Sequence, residues 1–295
     1  LRADVAHVPY WAPPMAPRVP TVVTIHDLIP LLLRPYRGGP PVRLYTALVS
    51  ATAERAALVL TDSEASRQDI LTHLDLPPER VRAIPLAVGA GFTPEPTPED
   101  GAIRRRYGLP ARYVLYLGGF DVRKNVETAL RTYTWAGPLI GDDCPLVVAG
   151  RLPEHDTDFA PDPRRQAREL DLDPAWVRFP DPVAEADKPA VYRGAAAFVF
   201  PSRYEGFGLP PLEAMACGVP VVGSQAASLP EVVGDGGVLL PPDDAAGMAG
   251  ALIQLATDSS FHAALRRRAL AQAARFSWEH TARETLAAYR TILPF

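Results

Sequence analysis

The chain has 295 residues, which exceeds the usual size of a single domain and predicts two domains. Hydrophobic residues make up 47% of it and the net charge is -4, so no basic domain suits a nucleic-acid partner. Its two cysteines are too few for a disulfide framework or a cysteine-built metal site, and we expect a reducing compartment, the cytoplasm. No apolar run approaches the roughly 20 residues that cross a bilayer. Peripheral contact with the inner face of a membrane stays open.

Short apolar runs rich in Val, Leu and Ile recur, and each ends at a turn residue that precedes a helical pattern. This alternation is typical of βαβ units around a buried parallel sheet, so the predicted fold class is α/β. The first series has strands at Val5–Pro9, Thr21–Ile25, Leu58–Thr61 and Val81–Pro85, and helices at Val42–Ala56 and Ser63–Leu74. The second series has strands at Tyr113–Leu117, Leu146–Ala149, Val177–Phe179, Ala197–Pro201, Val219–Val222 and Val238–Leu240, and closing helices at about Ser259–Ala274 and Ser277–Leu293.

A domain boundary is predicted in the segment Phe92–Gly101, whose three prolines and polar neighbours disfavour both helix and strand. The predicted divisions are residues 1–93, residues 94–275, and a closing helix at 276–295. The second series is complete for a doubly wound domain, whereas the first has only four strands and starts abruptly at Leu1. A half-sheet with an apolar edge strand is an aggregation liability, so we expect the N-terminal domain to be incomplete.

The most informative stretch is Pro201–Val222, which follows a predicted strand and enters a helix at about Leu209. Gly206 and Gly208 lie in the connecting loop, where backbone N–H groups and a positive helix end can receive an anionic or hydroxyl-rich ligand. Glu205 and Glu213 bracket the loop and can accept hydrogen bonds from sugar hydroxyls. For either glutamate alone, a solvated acid at the start of a helix explains the residue equally well.

A second candidate site is the segment from Leu117 to Val126. Gly118 and Gly119 end a strand there, and Arg123 and Lys124 precede a helix. Two cations at a helix N-terminus suit a diphosphate, and a solvated basic pair is an alternative of similar weight.

In the first series, His26 and Asp27 follow a strand, at the edge where open α/β sheets bind ligands. A lone histidine in this place is more often structural. Arg151 follows another strand and Val183 lies in a Pro-rich turn, and surface turns account for both equally well. The helix beginning at Ser63 is predicted to be N-capped, without chemistry. The remaining histidines lack metal-ligand spacing, so neither a metal nor a cofactor is expected.

The Glu205–Glu213 string closely resembles the glutamate-x7-glutamate segment of glycosyltransferase family 4, which comprises retaining transferases of GT-B fold. The resemblance implies two Rossmann-like domains with parallel sheets that face a cleft, the first of them incomplete. It implies donor-sugar contact for Glu205, backbone contacts for Phe207 to Leu209, and ribose binding for Glu213. The Val-Thr-Ile-His-Asp-Leu string resembles the family's strand end, which implies that His26 orients sugar hydroxyls and that Asp27 holds the imidazole or the loop.

At the second candidate site the family has an arginine after the first glycine and a lysine several residues later, both on the diphosphate. Lys124 matches that lysine, but Gly119 takes the place of the arginine, so either Arg123 supplies the charge or one phosphate contact is weaker. The positions of Arg151 and Val183 resemble those around the nucleotide base.

The resemblance implies a metal-independent hexosyltransferase that acts on a glycan or lipid-linked acceptor. The strings around His26 and Lys124 are most like bacterial mannosyl- or rhamnosyl-type transferases of polysaccharide assembly. GDP-mannose is the first expectation for the donor and a UDP-hexose the second. A module that binds a nucleotide sugar or a partner protein without turnover is the alternative, which Gly119 and the missing strands motivate.

Overall fold

The computed structural model describes residues 3–293. The chain forms two compact units, so the predicted division at residue 93 differs from the observed one, which follows Ala87. Both ends of the predicted domain ranges, at residues 1–2 and 294–295, lie outside the described residues. The first unit consists of Leu1–Ala87, Glu205–Phe207 and Phe276–Phe295, and the second of Val88–Tyr204 and Gly208–Arg275.

The two units are built from the following strands and helices. The strands are β1 (Ala6–Val8), β2 (Thr21–Thr24), β3 (Leu58–Thr61), β4 (Val81–Ala83), β5 (Val114–Leu117), β6 (Leu146–Ala149), β7 (Val177–Arg178), β8 (Ala197–Phe200), β9 (Val221–Ser224) and β10 (Gly237–Leu240). The α-helices are α1 (Ile29–Leu32), α2 (Pro40–Ala53), α3 (Glu64–His73), α4 (Asp100–Arg106), α5 (Val126–Ile140), α6 (Pro163–Glu169), α7 (Lys188–Gly194), α8 (Leu209–Ala216), α9 (Leu229–Val233), α10 (Ala245–Thr257), α11 (Ser259–Ala273) and α12 (Trp278–Arg290).

The sheet of the first unit is parallel, in the order β1-β2-β3-β4. Side chains alternate between the two faces of a strand, so neighbouring residues of β2 enter different cores. Val23 packs in a cluster with Ile70 of α3, whereas Val22 packs in a cluster with Ala288 of α12. The last helix of the chain therefore completes the core of the first unit.

The sheet of the second unit is also parallel, in the order β10-β9-β8-β5-β6-β7. The chain proceeds from β5 to β7 in one direction and then crosses to β8 and proceeds in the other. The carboxyl ends of β5 and β8 consequently form the topological switch point, where ligands of such sheets bind. The prediction of an α/β protein with two parallel sheets is confirmed.

Two predicted boundaries are wrong for local reasons. The strand predicted at Val219–Val222 spans Val221–Ser224, because the chain turns at Gly218, whose φ of 74° is left-handed. A helix begins at Asp100, inside the segment predicted to have no regular structure. The Asp100 carboxylate accepts a hydrogen bond from Thr97 Oγ1 at 2.7 Å and pairs with the Arg193 guanidinium at 2.6 Å, which stabilises this first turn.

Candidate functional site

In the second unit, β5 and β6 end side by side, and their backbones touch. Gly118 N–H donates to the Ala149 carbonyl at 3.1 Å, which extends the pairing of the two strands. Gly150 follows with a φ of 154°, and a Cβ on it would lie 2.1 Å from the Gly118 carbonyl oxygen. Only glycine fits at residue 150, because both the conformation and the space exclude a side chain.

A cavity of about 250 Å³ opens at this edge of the sheet. It brings together three residues that the sequence marked separately, namely Gly118, Arg151 and Val183. Sequence analysis missed Lys188, at the start of α7, whose Nζ lies 2.6 Å from Glu185 Oε1. The residues around the cavity are Leu117, Gly118, Gly150, Arg151, Pro182, Val183, Glu185 and Lys188.

Lys124 lies at the switch point, beside the end of β8. Its Nζ is 5.3 Å from the centroid of the Phe200 ring, within range of a cation–π interaction. Lys124 ends a short 3₁₀ turn, and Asn125 then takes a left-handed conformation before α5 begins. The chain therefore places an ammonium group beside the carboxyl end of the central strands.

Arg123 has a different environment from its neighbour. Its side chain is only 12% exposed, with Nε 3.5 Å from Asp121 Oδ1. Its Nη1 donates to the Tyr204 carbonyl at 2.8 Å, and its own carbonyl accepts from Arg203 N–H at 2.8 Å. These contacts fasten the loop after β8 to the turn before α5, a structural role that the spacing of Arg123 did not indicate.

Glu213 lies in the second turn of α8, and Gly208 precedes this helix with a φ of 118°. Tyr192 of α7 is fully buried, and its hydroxyl donates to Glu213 Oε2 at 2.9 Å. Burial raises the pKa of Glu213, while this hydrogen bond and the charge of Lys188 oppose the rise. The carboxylate is therefore held in one orientation by a residue that sequence analysis did not identify.

In the first unit, His26 pairs with a buried carboxylate. His26 Nδ1 lies 2.7 Å from Asp62 Oδ2, and the imidazole side chain remains 44% exposed. The hydrogen bond with Asp62 raises the pKa of His26, and the Pro9 carbonyl and the charge of Asp27 add to the rise. Sequence analysis missed Asp62, although it directly follows β3 and precedes the capped helix α3.

Asp27 acts on the backbone of its own loop. Its Oδ1 accepts a hydrogen bond from Ile29 N–H at 3.0 Å, at the first residue of α1. This hydrogen bond fits the role of holding the loop, which is one of the two roles expected for Asp27.

The segment Glu205–Phe207 is part of the first unit, whereas Glu213 is part of the second. Glu205 is buried, and the Phe207 ring packs edge-on against Phe276 at 5.8 Å. A Cβ on Gly206 would lie 2.6 Å from the His26 carbonyl oxygen, so this close approach requires glycine. Residues 94–275 were predicted to form one domain, and these three residues depart from that division.

Neither a metal-binding cluster nor a membrane-spanning helix is found among residues 3–293, the part of the chain that the structure describes. In that range, no group of three or more His, Cys, Asp or Glu side chains is arranged to hold a metal ion. None of the helices in the same range combines the length and apolarity needed to span a membrane.

Comparison with known proteins identifies relatives along almost the whole chain. The family model "Glycosyl transferases group 1" matches residues 111–258, and the model "Glycosyltransferase Family 4" matches residues 1–90. The O-antigen chain mannosyltransferase B of Escherichia coli is 35% identical over 272 residues, which is 92% of this chain and 70% of the relative. The serotype-specific mannosyltransferase WbdA of E. coli is 33% identical over 92% of this chain, which spans only 34% of WbdA.

Among solved structures, Anabaena HepE in complex with UDP and glucose superposes with a TM-score of 0.76. The match covers 92% of this chain and 72% of HepE at 21% identity, and it supports the GT-B fold alone. The matches to the two family models and to the 35% identical mannosyltransferase are similarities of sequence, not only of fold. The chain therefore belongs to the glycosyltransferases of group 1 and family 4.

Proposed function

We propose that this chain is a retaining hexosyltransferase that transfers a sugar from a nucleotide-sugar donor to a glycan or lipid-linked acceptor. One observation carries the proposal. The switch point of the second unit combines the backbone of Gly118 with Lys124, and the adjoining cavity holds Lys188 and Arg151. Cationic side chains and a glycine backbone at the carboxyl ends of parallel strands are suited to a diphosphate and a nucleoside.

Each residue has a role in this proposal. Backbone groups of Gly118, Gly119 and Gly208 to Leu209 receive the donor, and Lys124 compensates the diphosphate charge. Glu213, oriented by Tyr192, accepts from the ribose hydroxyls. The cavity with Arg151, Val183 and Lys188 surrounds the base. His26 donates to a sugar hydroxyl, and Glu205 with the backbone of Gly206 and Phe207 is assigned to the donor sugar. Arg123 acts by holding the Tyr204 loop.

The chemistry follows from charge development. As the bond between the anomeric carbon and the diphosphate oxygen breaks, negative charge grows on the leaving group, and Lys124 stabilises it without a metal ion. The acceptor hydroxyl oxygen forms the new bond on the face that the diphosphate leaves. Its proton passes to an oxygen of the departing phosphate. Because the new bond forms on the same face as the broken one, the configuration is retained, and no covalent enzyme intermediate forms.

We propose GDP-mannose as the donor and a UDP-hexose as the alternative. The mannosyltransferase names of the relatives from E. coli support mannose, whereas the UDP in HepE supports the alternative. Thermal shift with GDP, UDP, GDP-mannose and UDP-glucose tests the choice, and stabilisation by uridine nucleotides alone would overturn the mannose assignment. Transfer to a mannose-containing acceptor in excess EDTA, with the product anomer assigned by NMR, tests retention and metal independence.

The alternative is a module that binds a nucleotide sugar without turnover. Nucleotide binding without hydrolysis or transfer, for every donor and acceptor tried, supports that alternative.

Matched Lys124→Gln and Lys188→Gln variants distinguish the roles proposed for the two lysines. We expect Lys124→Gln to lower turnover strongly and Lys188→Gln to weaken nucleotide binding more than it lowers turnover.

We further propose that the chain associates with the inner face of a membrane through helix α2. Leu44, Tyr45 and Leu48 on this helix are 63%, 57% and 52% exposed. Residues 28–53 contain no acid. Apolar side chains beside cations suit an anionic lipid surface. The cations of this stretch are Arg34, Arg37 and Arg43.

Sedimentation with vesicles that contain phosphatidylglycerol tests this membrane contact. We expect binding that Leu48→Ser weakens and that pure phosphatidylcholine vesicles do not support. The control is Trp135→Ser, which removes a side chain of similar exposure (62%) from α5 in the second unit. Equal binding by both variants would refute the assignment to α2.

A further inference from the structure

Side chains at the start of helix α3 make hydrogen bonds to other segments of the chain as well as to the helix backbone. Ser63 Oγ accepts from Ser66 N–H at 3.0 Å, which is the ordinary N-cap interaction. The same hydroxyl donates to the Gly206 carbonyl at 2.6 Å, and the cap does not require that bond. Ser66 Oγ lies 3.0 Å from the Gly206 carbonyl and 3.1 Å from the His26 carbonyl, so its one proton is shared between them.

These polar groups lie where water is excluded. Asp62, Ser63 and Ser66 are each at most 5% exposed. Hydrogen bonds in such surroundings are strong and costly to lose, because no water replaces a missing partner. The residues at the start of α3 therefore fix the His26 backbone, the His26 ring and the Gly206 carbonyl together.

We propose that Asp62, Ser63 and Ser66 are positioning residues that hold His26 and the Glu205–Phe207 segment in the geometry for transfer. This inference rests on the proposed function. Asp62 accepts from Nδ1–H of His26, so a sugar hydroxyl is assigned to Nε2, the nitrogen that Asp62 does not occupy. Ser63 and Ser66 hold the segment that carries Glu205, and a buried hydroxyl-to-carbonyl bond leaves little freedom of position.

The interaction of His26 with Asp62 determines the pH range over which the His26 imidazole stays protonated. The charged groups that face the ring are Asp62, at the end of β3, and Asp27 in its own loop, and the Pro9 carbonyl is a further acceptor. All three favour the imidazolium, whose Nε2–H donates. Because the pKa of His26 is raised above 6.5, the protonated form persists to higher pH than in a free histidine. Asp62→Asn keeps the shape of the side chain and removes its charge, so it lowers that pKa.

Two variants and one control test the proposal. Ser66→Ala removes the shared hydroxyl and keeps a good helix former. Thr72→Ala is the control, because the Thr72 hydroxyl donates to the Gln68 carbonyl of the same helix. We expect Ser66→Ala and Asp62→Asn to lower kcat/KM roughly 10- to 100-fold, since a small misplacement of a reacting group has effects of that size. GDP binding stays close to that of Thr72→Ala, whereas the melting temperature of Ser66→Ala falls below that of Thr72→Ala, because a buried hydrogen bond is lost.

NMR titration of the His26 ring distinguishes a failure of this inference from a failure of the proposed function, because it needs no turnover. We expect the pKa of His26 to fall in Asp62→Asn, and the alkaline limb of the kcat/KM profile to move to lower pH with it. An unchanged His26 pKa, or a kcat/KM of Ser66→Ala equal to that of Thr72→Ala, would overturn the proposal. If Ser66→Ala does not fold, the isosteric Asp62→Asn variant decides alone.

Discussion

Gly150→Ala is the substitution for which the second unit offers the sharpest expectation. The alanine Cβ would lie 2.1 Å from the Gly118 carbonyl oxygen and 2.9 Å from a carbon of the Phe120 ring. The backbone cannot relieve the contact by a simple rotation, because a φ of 154° already belongs to a region that only glycine occupies readily. The strand ends of β5 and β6 must separate.

The size of the effect can be worked from its parts. Strained backbone costs about 1–3 kcal/mol, and overpacking a tight site costs about 1–3 kcal/mol more. Alanine also lowers the conformational entropy of the unfolded chain, which stabilises the folded state by about 0.4–1 kcal/mol. The free energy of unfolding should therefore fall by about 1–5.5 kcal/mol, out of the roughly 5–15 kcal/mol usual for a domain. At about 2–4 °C per kcal/mol, the melting temperature should fall by roughly 2–20 °C.

The assay is differential scanning calorimetry with and without GDP, and Gly250→Ala is the control. Gly250 lies on α10 with nothing within 4 Å of its would-be Cβ, so the same substitution there should stabilise by about 0.5–1 kcal/mol. Because the cavity beside Gly118 is lined by Gly150 itself, GDP should also stabilise Gly150→Ala less than the wild type. A Gly150→Ala protein that melts with the wild type and gains as much from GDP would refute this reasoning.

Three further substitutions have expected outcomes. Tyr192→Phe removes only the hydroxyl that donates to Glu213, and burial then raises the pKa of that carboxyl further, so calorimetric GDP affinity should fall more at pH 6 than at pH 8. Arg193→Gln leaves the buried Asp100 carboxylate unpaired and should destabilise the protein by about 3–5 kcal/mol in urea titrations at pH 7. The Arg193 guanidinium holds the pKa of Asp100 at about 2, below its usual 3.8, so its stabilisation is complete above pH 3.8 and disappears as the pH falls towards 2. The variant should lack that step. Ser277→Ala removes the hydroxyl that accepts from His280 N–H at the start of α12 and should cost about 1 kcal/mol in thermal unfolding.

The strands were predictable because burial in a parallel sheet produces a short apolar run with a clear end. Leu58–Thr61 and Leu146–Ala149 match their predicted limits, and both are completely buried. The errors lie where a distant partner or a turn decides the boundary. Asp100 starts a helix in a Pro-rich segment because Arg193, far along the chain, pairs with its carboxylate. Local propensity contains no information about that partner.

The candidate site divides in the same way. Gly118 could be predicted because it directly follows a predicted strand. The carboxyl ends of parallel strands lie at the same edge of a sheet, whatever their side chains are. Asp62, Tyr192 and Lys188 were not found, since each acts on a residue that is remote in sequence or lies within an ordinary helix start. The spacing suggested that the charges of Arg123 and Lys124 lie side by side. In the structure, Arg123 Nη1 donates a hydrogen bond to the carbonyl of Tyr204, which is 81 residues away in the sequence.

The glycines of the motif after β8 show why a motif and a site are not the same. Glycine was expected there so that a ligand could approach the backbone. At Gly206, the space that a Cβ would fill is taken by the His26 carbonyl, and the Gly206 carbonyl accepts from Ser63, the N-cap of α3, and from Ser66 in its first turn. At Gly208, a φ of 118° sets the start of α8. Packing and backbone conformation thus require both glycines before any ligand binds, and this accounts for the glycine positions independently of the donor.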